Sequence, residues 1–341
     1  MKKFNSRTYL YIAALGIVLI LALLVIYVII PVSKADHTEY IYIDDDDTQD
    51  SVLMKIRPMA HTAGMTGLNM LIRHSNYKNN IRTGRYALEP TTGALQLFRH
   101  LKNGQQASMR LTLPEVRTTD RLAAVLGQKL MLDSATIADA LHSQQTCQQL
   151  GFDTCTISAM FVPNTYDVYW NTSLEAFLER MQKEYHRFWQ GDRQAKANRI
   201  SLTPIEVATL ASIIDEETAN IAEKPMIAGM YLNRLKANMP LQADPTIKFA
   251  LRQFELKRIY NKLLDTNSPY NTYRHEGLPP GPIKIASIKG IDAVLNHVEH
   301  DYLYMCAKED FSGTHNFART YKEHQENARK YAKALNERGI K

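Results

Sequence analysis

The chain has 341 residues, 45% of them hydrophobic and 22% charged, which is enough apolar material for two or three domains and excludes a disordered chain. Its formal charge of +6 is not gathered into a basic stripe interleaved with aromatic residues, so nucleic acid is not an expected partner. The three cysteines, Cys147, Cys155 and Cys306, match no zinc spacing, and neither a metal nor a cofactor is expected.

Residues 9–30 carry no charge and are long enough to cross a bilayer as a helix. No small-residue cleavage site follows near Pro31-Val32-Ser33, so the segment 9–31 is predicted to be a retained anchor and not a removed signal peptide. Lys2, Lys3 and Arg7 precede it, whereas Asp36, Glu39 and the run from Asp44 to Asp47 follow. The positive-inside rule then leaves residues 1–8 as a cytoplasmic tail and puts the bulk of the chain outside, facing an anionic polymer or lipid surface. In an oxidising compartment Cys147 and Cys155 could close a short disulfide loop, a pairing that sequence alone leaves open, while Cys306 lies in an apolar run and reads as a buried thiol.

Beyond the anchor, residues 36–113 read as a small membrane-proximal α+β module. Tyr40-Ile41-Tyr42-Ile43 is strand-like, and the aspartates that end it lack the ligand spacing of a calcium loop. Helical periodicity follows at 66–72 and 94–101, a turn and strand at 84–88, and half-buried alternation at 108–113. Residues 114–198 form a connecting subdomain: helices at 118–130 and 134–141, an aromatic-rich strand pair broken by Pro163 at 160–169, a helix at 174–188, and a charged connector at 190–198. Residues 199–341 make a C-terminal α+β domain, with helices at 204–218, 225–236, 288–297 and 321–338 and strands at 302–307 and 314–317. Within it Asp244 caps a helix that Pro245 opens, and residues 268–273 and 277–283 are rigid loops.

Three consecutive carboxylates, Asp215-Glu216-Glu217, end the helix that starts at Thr203-Pro204-Ile205-Glu206, a capping box with proline in the first turn. Residues three, four and seven apart share a helix face, so Glu217 lies over Ile214, Ile213 and Leu210. Apolar surroundings, the adjacent Asp215 and Glu216, and the negative end of the helix dipole all favour its neutral form, as a general acid requires. A solvated acidic helix end has the same local sequence. Further along, Asn233, Arg234, Gln242, Asp244, Tyr270, Asn271, Tyr273 and His315 are the polar and aromatic types that a carbohydrate cleft uses. Taken singly, Tyr270 and Tyr273 are equally packing residues, His315 a core or edge histidine, and Asn233-Arg234 a helix-end pair.

Five segments together resemble the endolytic murein transglycosylases, the MltG or YceG-like family, in order and spacing: Ala211-Ser212-Ile213-Ile214-Asp215-Glu216-Glu217-Thr218, Tyr231-Leu232-Asn233-Arg234-Leu235, Leu241-Gln242-Ala243-Asp244-Pro245-Thr246, Tyr270-Asn271-Thr272-Tyr273, and Gly277-Leu278-Pro279-Pro280-Gly281-Pro282-Ile283. The resemblance extends to the single anchor, to a LysM-like module around residues 84–88, and to Phe161-Val162-Pro163-Asn164-Thr165-Tyr166. It implies a single-pass protein of the bacterial cytoplasmic membrane that cleaves nascent peptidoglycan strands between N-acetylmuramic acid and N-acetylglucosamine, working beside peptidoglycan synthases. The family motif is like Val-Glu-Lys-Glu-Thr, so Glu217 takes the place of its catalytic glutamate, while Asp215 stands where the family has another glutamate. Such an acid donates a proton to the glycosidic oxygen, and its carboxylate then takes the proton of the muramic acid C6 hydroxyl, which closes on C1 as a 1,6-anhydro product. Substrate positioning falls to Asn233, Arg234, Gln242, Asp244, Tyr270, Asn271, Tyr273 and His315. Two other readings stay open: a glycan-binding scaffold without activity, and a hydrolase that uses Asp215 or Asp244 to activate water.

Overall fold

Thr203 and Glu206 do form the predicted capping box: Thr203 Oγ1 accepts from Glu206 N at 3.2 Å and Glu206 Oε2 accepts from Thr203 N at 2.7 Å. The helix they start is the centre of the larger of two compact units. The computed structural model describes residues 6–256 and 259–339, without the side chains of residues 6–9, 20, 21, 23 and 24. In chain order its elements begin with α1 (Ser6–Ile29), β1 (Glu39–Ile43), α2 (Gln49–Ile56), α3 (Thr62–Arg73), β2 (Gly84–Leu88), α4 (Ala94–Asn103) and β3 (Met109–Thr112). There follow α5 (Thr119–Lys129), α6 (Ser134–His142), α7 (Gln144–Gln149), β4 (Thr165–Val168), α8 (Leu174–Trp189) and α9 (Asp192–Arg199). The chain ends with α10 (Pro204–Glu217), α11 (Lys224–Lys236), α12 (Asp244–Leu251), α13 (Ile288–Leu295), β5 (Tyr304–Ala307), β6 (His315–Ala318) and α14 (Tyr321–Glu337). The class is α+β, as expected. The first unit comprises Met1–Leu111, Lys129–Met131 and Asp167–Thr172, and the second Thr112–Gln128, Leu132–Tyr166 and Ser173–Lys341, so most of residues 114–198 falls in the second.

In the first unit β1 and β2 pair antiparallel, from Glu39 opposite Leu88 to Ile43 opposite Gly84. Ile41, Ile43, Tyr86 and Leu88 bury against Val52, Ile56, Leu68, Ile72, Leu97 and Leu101 from α2, α3 and α4. Gly67 and Gly93 allow a close approach here, because the backbone carbonyls of Tyr27 and Ile29 occupy the space that a Cβ would need. The last turn of α1 is thereby seated on α3 and on the start of α4. The predicted aspartate loop is partly ordered: Asp47 accepts from Asp44 N at 2.8 Å, from Ser51 Oγ at 2.6 Å and from Lys55 Nζ at 2.5 Å; burial alone would raise its carboxyl, but these bonds together outweigh it and hold the group below the usual carboxylate range. Helix α1 covers most of the expected anchor at 9–31, with the side chains of residues 9, 20, 21, 23 and 24 outside the described ones, and among the described residues no helix counts as long and apolar enough to cross a membrane.

Beyond residue 114 two local expectations change, and a pairing that the sequence left open is absent. Residues 160–169 do not form a strand pair: Ile157–Met160 is a 3-10 turn and Thr165–Val168 alone is extended, since Pro163 has no N–H for a ladder. The connector at 190–198 is helical as α9, where Ala197 is the buried contact of an otherwise polar sequence. Cys147 and Cys155 are free thiols; Cys147 is buried and hydrogen-bonds Leu141 O at 3.4 Å, while Cys155 is exposed. Cys306 is half-buried. Helix α10 is buried all round from Val207 to Ile214, packed by α11, α12 and α13. A loop tie helps to fix it, with Ser212 Oγ accepting from Ile283 N at 3.0 Å. β5 and β6 form an antiparallel ribbon, with Tyr304 opposite Ala318 and Ala307 opposite His315, and α14 packs on it.

Candidate active site

Because α10 is buried on every side, a single apolar stripe does not distinguish its three terminal acids. Their partners do. Asp215 is clamped by the Lys224 ammonium and by the start of α13, where Ser287 N and Oγ donate to its two oxygens at 2.7 and 2.8 Å. Its side chain is 2% exposed and Lys224's 8%, so this is a buried ion pair that joins α10, α11 and α13. Gly290 is required beside it, since a Cβ there would collide with the Asp215 carboxylate. Glu216 turns the other way, to Arg117 at 2.8 Å and Lys284 at 3.6 Å. Only Glu217 of the three faces a cleft.

That cleft has a volume of about 450 Å³ and is walled by α11, the turn before α12, the β5–β6 ribbon and α14. Tyr231 OH donates to Glu217 Oε1 at 2.7 Å. Burial pushes the Glu217 carboxyl up to about 7; the Tyr231 hydrogen bond opposes the rise, and the charge of Asp244 adds to it. The negative charge felt by Glu217 is therefore Asp244's, opposed by His315 and Lys248, and not that of Asp215 and Glu216, which are neutralised by their own cations. Replacing Tyr231 with Phe removes a bond that favours the ionised form. The Glu217 carboxyl, followed by infrared or ¹³C titration, is expected to move further above 7; a midpoint that stays or falls contradicts this arrangement.

Six of the nine predicted site residues line the cleft: Glu217, Arg234, Gln242, Asp244, Tyr273 and His315. Tyr273 OH donates to Asp244 Oδ1 at 2.5 Å. Asp244 does not cap its helix as expected; Ala243 is the capping residue, without a side-chain bond, which leaves the Asp244 carboxylate for Tyr273. The other three are not brought to the cleft wall. Asn233 Nδ2 donates to the carbonyls of His300 at 2.5 Å and Tyr302 at 3.1 Å, holding the loop that leads into β5. Asn271 is fully buried and staples its loop through the carbonyls of Leu264 at 2.8 Å and Thr266 at 2.7 Å, while Tyr270 packs on Phe249 with ring centroids 4.7 Å apart. Asn271 reaches the cleft through Tyr273, whose N–H donates to Asn271 Oδ1 at 3.0 Å.

With the site in view, the profile of the YceG-like family matches residues 41–330. The chain belongs to the YceG-like family. Over 169 residues it is 38% identical to the endolytic murein transglycosylase of Bacillus subtilis strain 168, covering 49% of this chain and 46% of that one. Over 334 residues it is 24% identical to the endolytic murein transglycosylase of Streptococcus pneumoniae serotype 2 strain D39, covering 88% of this chain and 60% of that one. The chain thus spans only 46% to 60% of the length of these curated relatives. A crystal structure of a YceG-like protein from Listeria monocytogenes shares the fold, with a TM-score of 0.56 at 23% identity over 86% of this chain and 99% of that chain.

The YceG-like fold also brings in residues that the sequence reading missed. Glu223 is 8% exposed and its two oxygens accept from His315 N at 2.6 Å and meet His315 Nδ1 at 2.9 Å, which fixes the imidazole at the cleft. Tyr231 stood inside a quoted motif but carries no local mark of its bond to an acid fourteen positions upstream. Tyr321 and His324 come from α14, which read only as a charged closing helix; His324 stacks on Tyr304 with centroids 5.4 Å apart.

Proposed function

We propose that the chain is an endolytic lytic transglycosylase of peptidoglycan, with Glu217 as its single acid and base. The observation that carries this reading is the Glu217 carboxyl set in a sugar-sized cleft and fixed by Tyr231 on one oxygen, where burial pushes it up to about 7. With Tyr231 donating to Oε1, the acidic proton rides on Oε2 and is given to the oxygen that links muramic acid C1 to the next sugar. The C1–O bond breaks and the departing sugar leaves with a hydroxyl. The carboxylate now on Glu217 takes the proton of the muramic acid C6 hydroxyl, whose oxygen closes on C1, so the acid is regenerated and no water is consumed. A glycosidase that uses water needs a second carboxylate. Asp215 is held by Lys224 and Ser287, so among the described residues Asp244 is the other carboxylate that lines the cleft. Digestion of purified murein by the full-length protein, with the ends identified by mass, separates the outcomes: anhydro ends support the transglycosylase, reducing ends a hydrolase working through Asp244, and intact strands a binding scaffold.

In this reading Glu223 is a positioning residue for His315. Glu223→Gln keeps one acceptor of two and is expected to slow cleavage about tenfold to a hundredfold by letting the imidazole move. Unchanged kinetics together with an unchanged His315 imidazole NMR signal would remove that role.

The first unit we read as a LysM-like glycan-binding module on a membrane anchor. The strand, helix, helix, strand order from β1 to β2 supports the first part. The second is supported by α1, which is 24 residues long, leaves Leu10, Tyr11, Ile12 and Leu15 exposed, and sits directly on the module. The chain would then lie in the bacterial cytoplasmic membrane with its cleft on the outer side, near newly made strands and the synthases that make them.

A further inference from the structure

Arg234 lies in the last turn of α11 with its guanidinium in the cleft wall, and the residue is only 6% exposed. One of its terminal nitrogens donates to Gln242 Oε1 at 2.6 Å, its Nε is buried with no partner, and its Cζ lies 5.6 Å from the centre of the Tyr304 ring. Among the described residues no carboxylate comes within ion-pair distance of it. The acids of this region are already engaged, Glu217 by Tyr231, Asp244 by Tyr273 and Glu223 by His315. A buried cation answered only by a neutral amide, a ring face and an empty Nε is an unbalanced charge.

Gln242 adds a second sign. Its φ is +53°, a left-handed conformation that a residue with a Cβ takes only under constraint, and its N–H is held by Thr272 O at 3.0 Å. This backbone sets its carboxamide against Arg234. Since the amide oxygen accepts from Arg234, the NH₂ is the half left to face the open cleft, and the pair presents only donors. Planar donors around a desolvated positive charge fit a carboxylate, which guanidinium binds through two parallel hydrogen bonds.

We propose that Arg234 and Gln242 form a carboxylate-binding subsite that takes an acidic group borne on the 3-O-lactyl substituent of muramic acid. This rests on the reading of the cleft as a peptidoglycan site. Two sources carry that chemistry: the free lactyl acid of a strand stripped of peptide, and the carboxylates of an attached peptide stem.

The test uses the full-length Glu217→Gln variant in detergent, so that binding is read without turnover. Four muramic acid tetrasaccharides are titrated by calorimetry: stem-free with its lactyl carboxylate, the same with that acid converted to the amide, stem-bearing, and stem-bearing with its acids amidated. The expected result is at least tenfold tighter binding of a carboxylate form than of its own amide. The preference should shrink as salt is raised and vanish when Arg234→Met is added, and the pair showing it identifies the source. Equal affinities within both pairs, no binding of any fragment, or a preference that survives Arg234→Met overturns the proposal. The comparison of acid with amide needs no change at Arg234, and Gln242→Ala, at an exposed position, gives a second variant that is expected to weaken the preference if Arg234→Met does not fold. A protein that prefers the acids but makes no anhydro ends would keep this subsite and lose the proposed reaction; one that makes anhydro ends without preference would do the reverse.

Discussion

Changing Glu217 to Gln is expected to lower glycan cleavage by about three orders of magnitude, with the fold intact, because the amide can still accept from Tyr231 but has no proton to give. The parent's rate should fall as pH rises through about 7, where the acid is lost. Stability carries the same sign. A carboxyl raised in the folded state from its ordinary 4.5 to about 7 contributes most below 4.5 and loses that contribution as pH climbs to 7. The Gln variant, which has no such loss, is expected to match the parent near pH 4 and to exceed it at pH 8 by up to about 3 kcal/mol. Urea unfolding of both proteins at the two pH values checks this, and a gap of opposite sign would mean that Glu217 is ionised and well solvated in the folded protein.

A second large effect is expected at Asp215, a residue that touches nothing in the cleft. Asp215→Asn leaves the Lys224 ammonium buried without its counter-charge and is expected to cost about 3 to 5 kcal/mol of stability. Adding Lys224→Met should restore most of it, since replacing both charges of a buried pair by groups of similar volume is often close to neutral. Catalytic loss in Asp215→Asn should track the unfolded fraction. If the single variant unfolds within about 1 kcal/mol of the parent, the pair is not the fastener between α10, α11 and α13 that its bonds describe.

What could be read from sequence followed the range of the interactions. The cap at Thr203 and the end of α10 near Thr218 rest on neighbours within a few residues, and both agree with the structure. The reason given for Glu217 was only half physical: its burial is real, yet the charge beside it comes from Asp244, 27 positions on, not from Asp215 and Glu216. Family motifs pointed to Arg234, Gln242, Asp244 and Tyr273, and residue type alone to His315, but a motif does not say which of its members faces the cleft. Asn233 and Asn271 are spent on backbone carbonyls, and Tyr270 on Phe249. Glu223 and His324 were invisible because each is defined by a partner far along the chain: His315 is 92 residues from Glu223, and Tyr304 meets His324 across the ribbon and α14. The helical character of 192–199 was missed for a related reason, since its composition is polar and its packing depends on a single alanine.

In the proposed reaction one acid both gives and recovers the proton while the substrate's own C6 oxygen closes the ring. Digesting murein in ¹⁸O-water with the full-length protein and weighing the new muramic acid ends tests it most directly. The expected products are 1,6-anhydro ends that carry no label, from the parent and not from Glu217→Gln. Reducing ends labelled at C1, or unlabelled anhydro ends made equally well by the Gln variant, would contradict it.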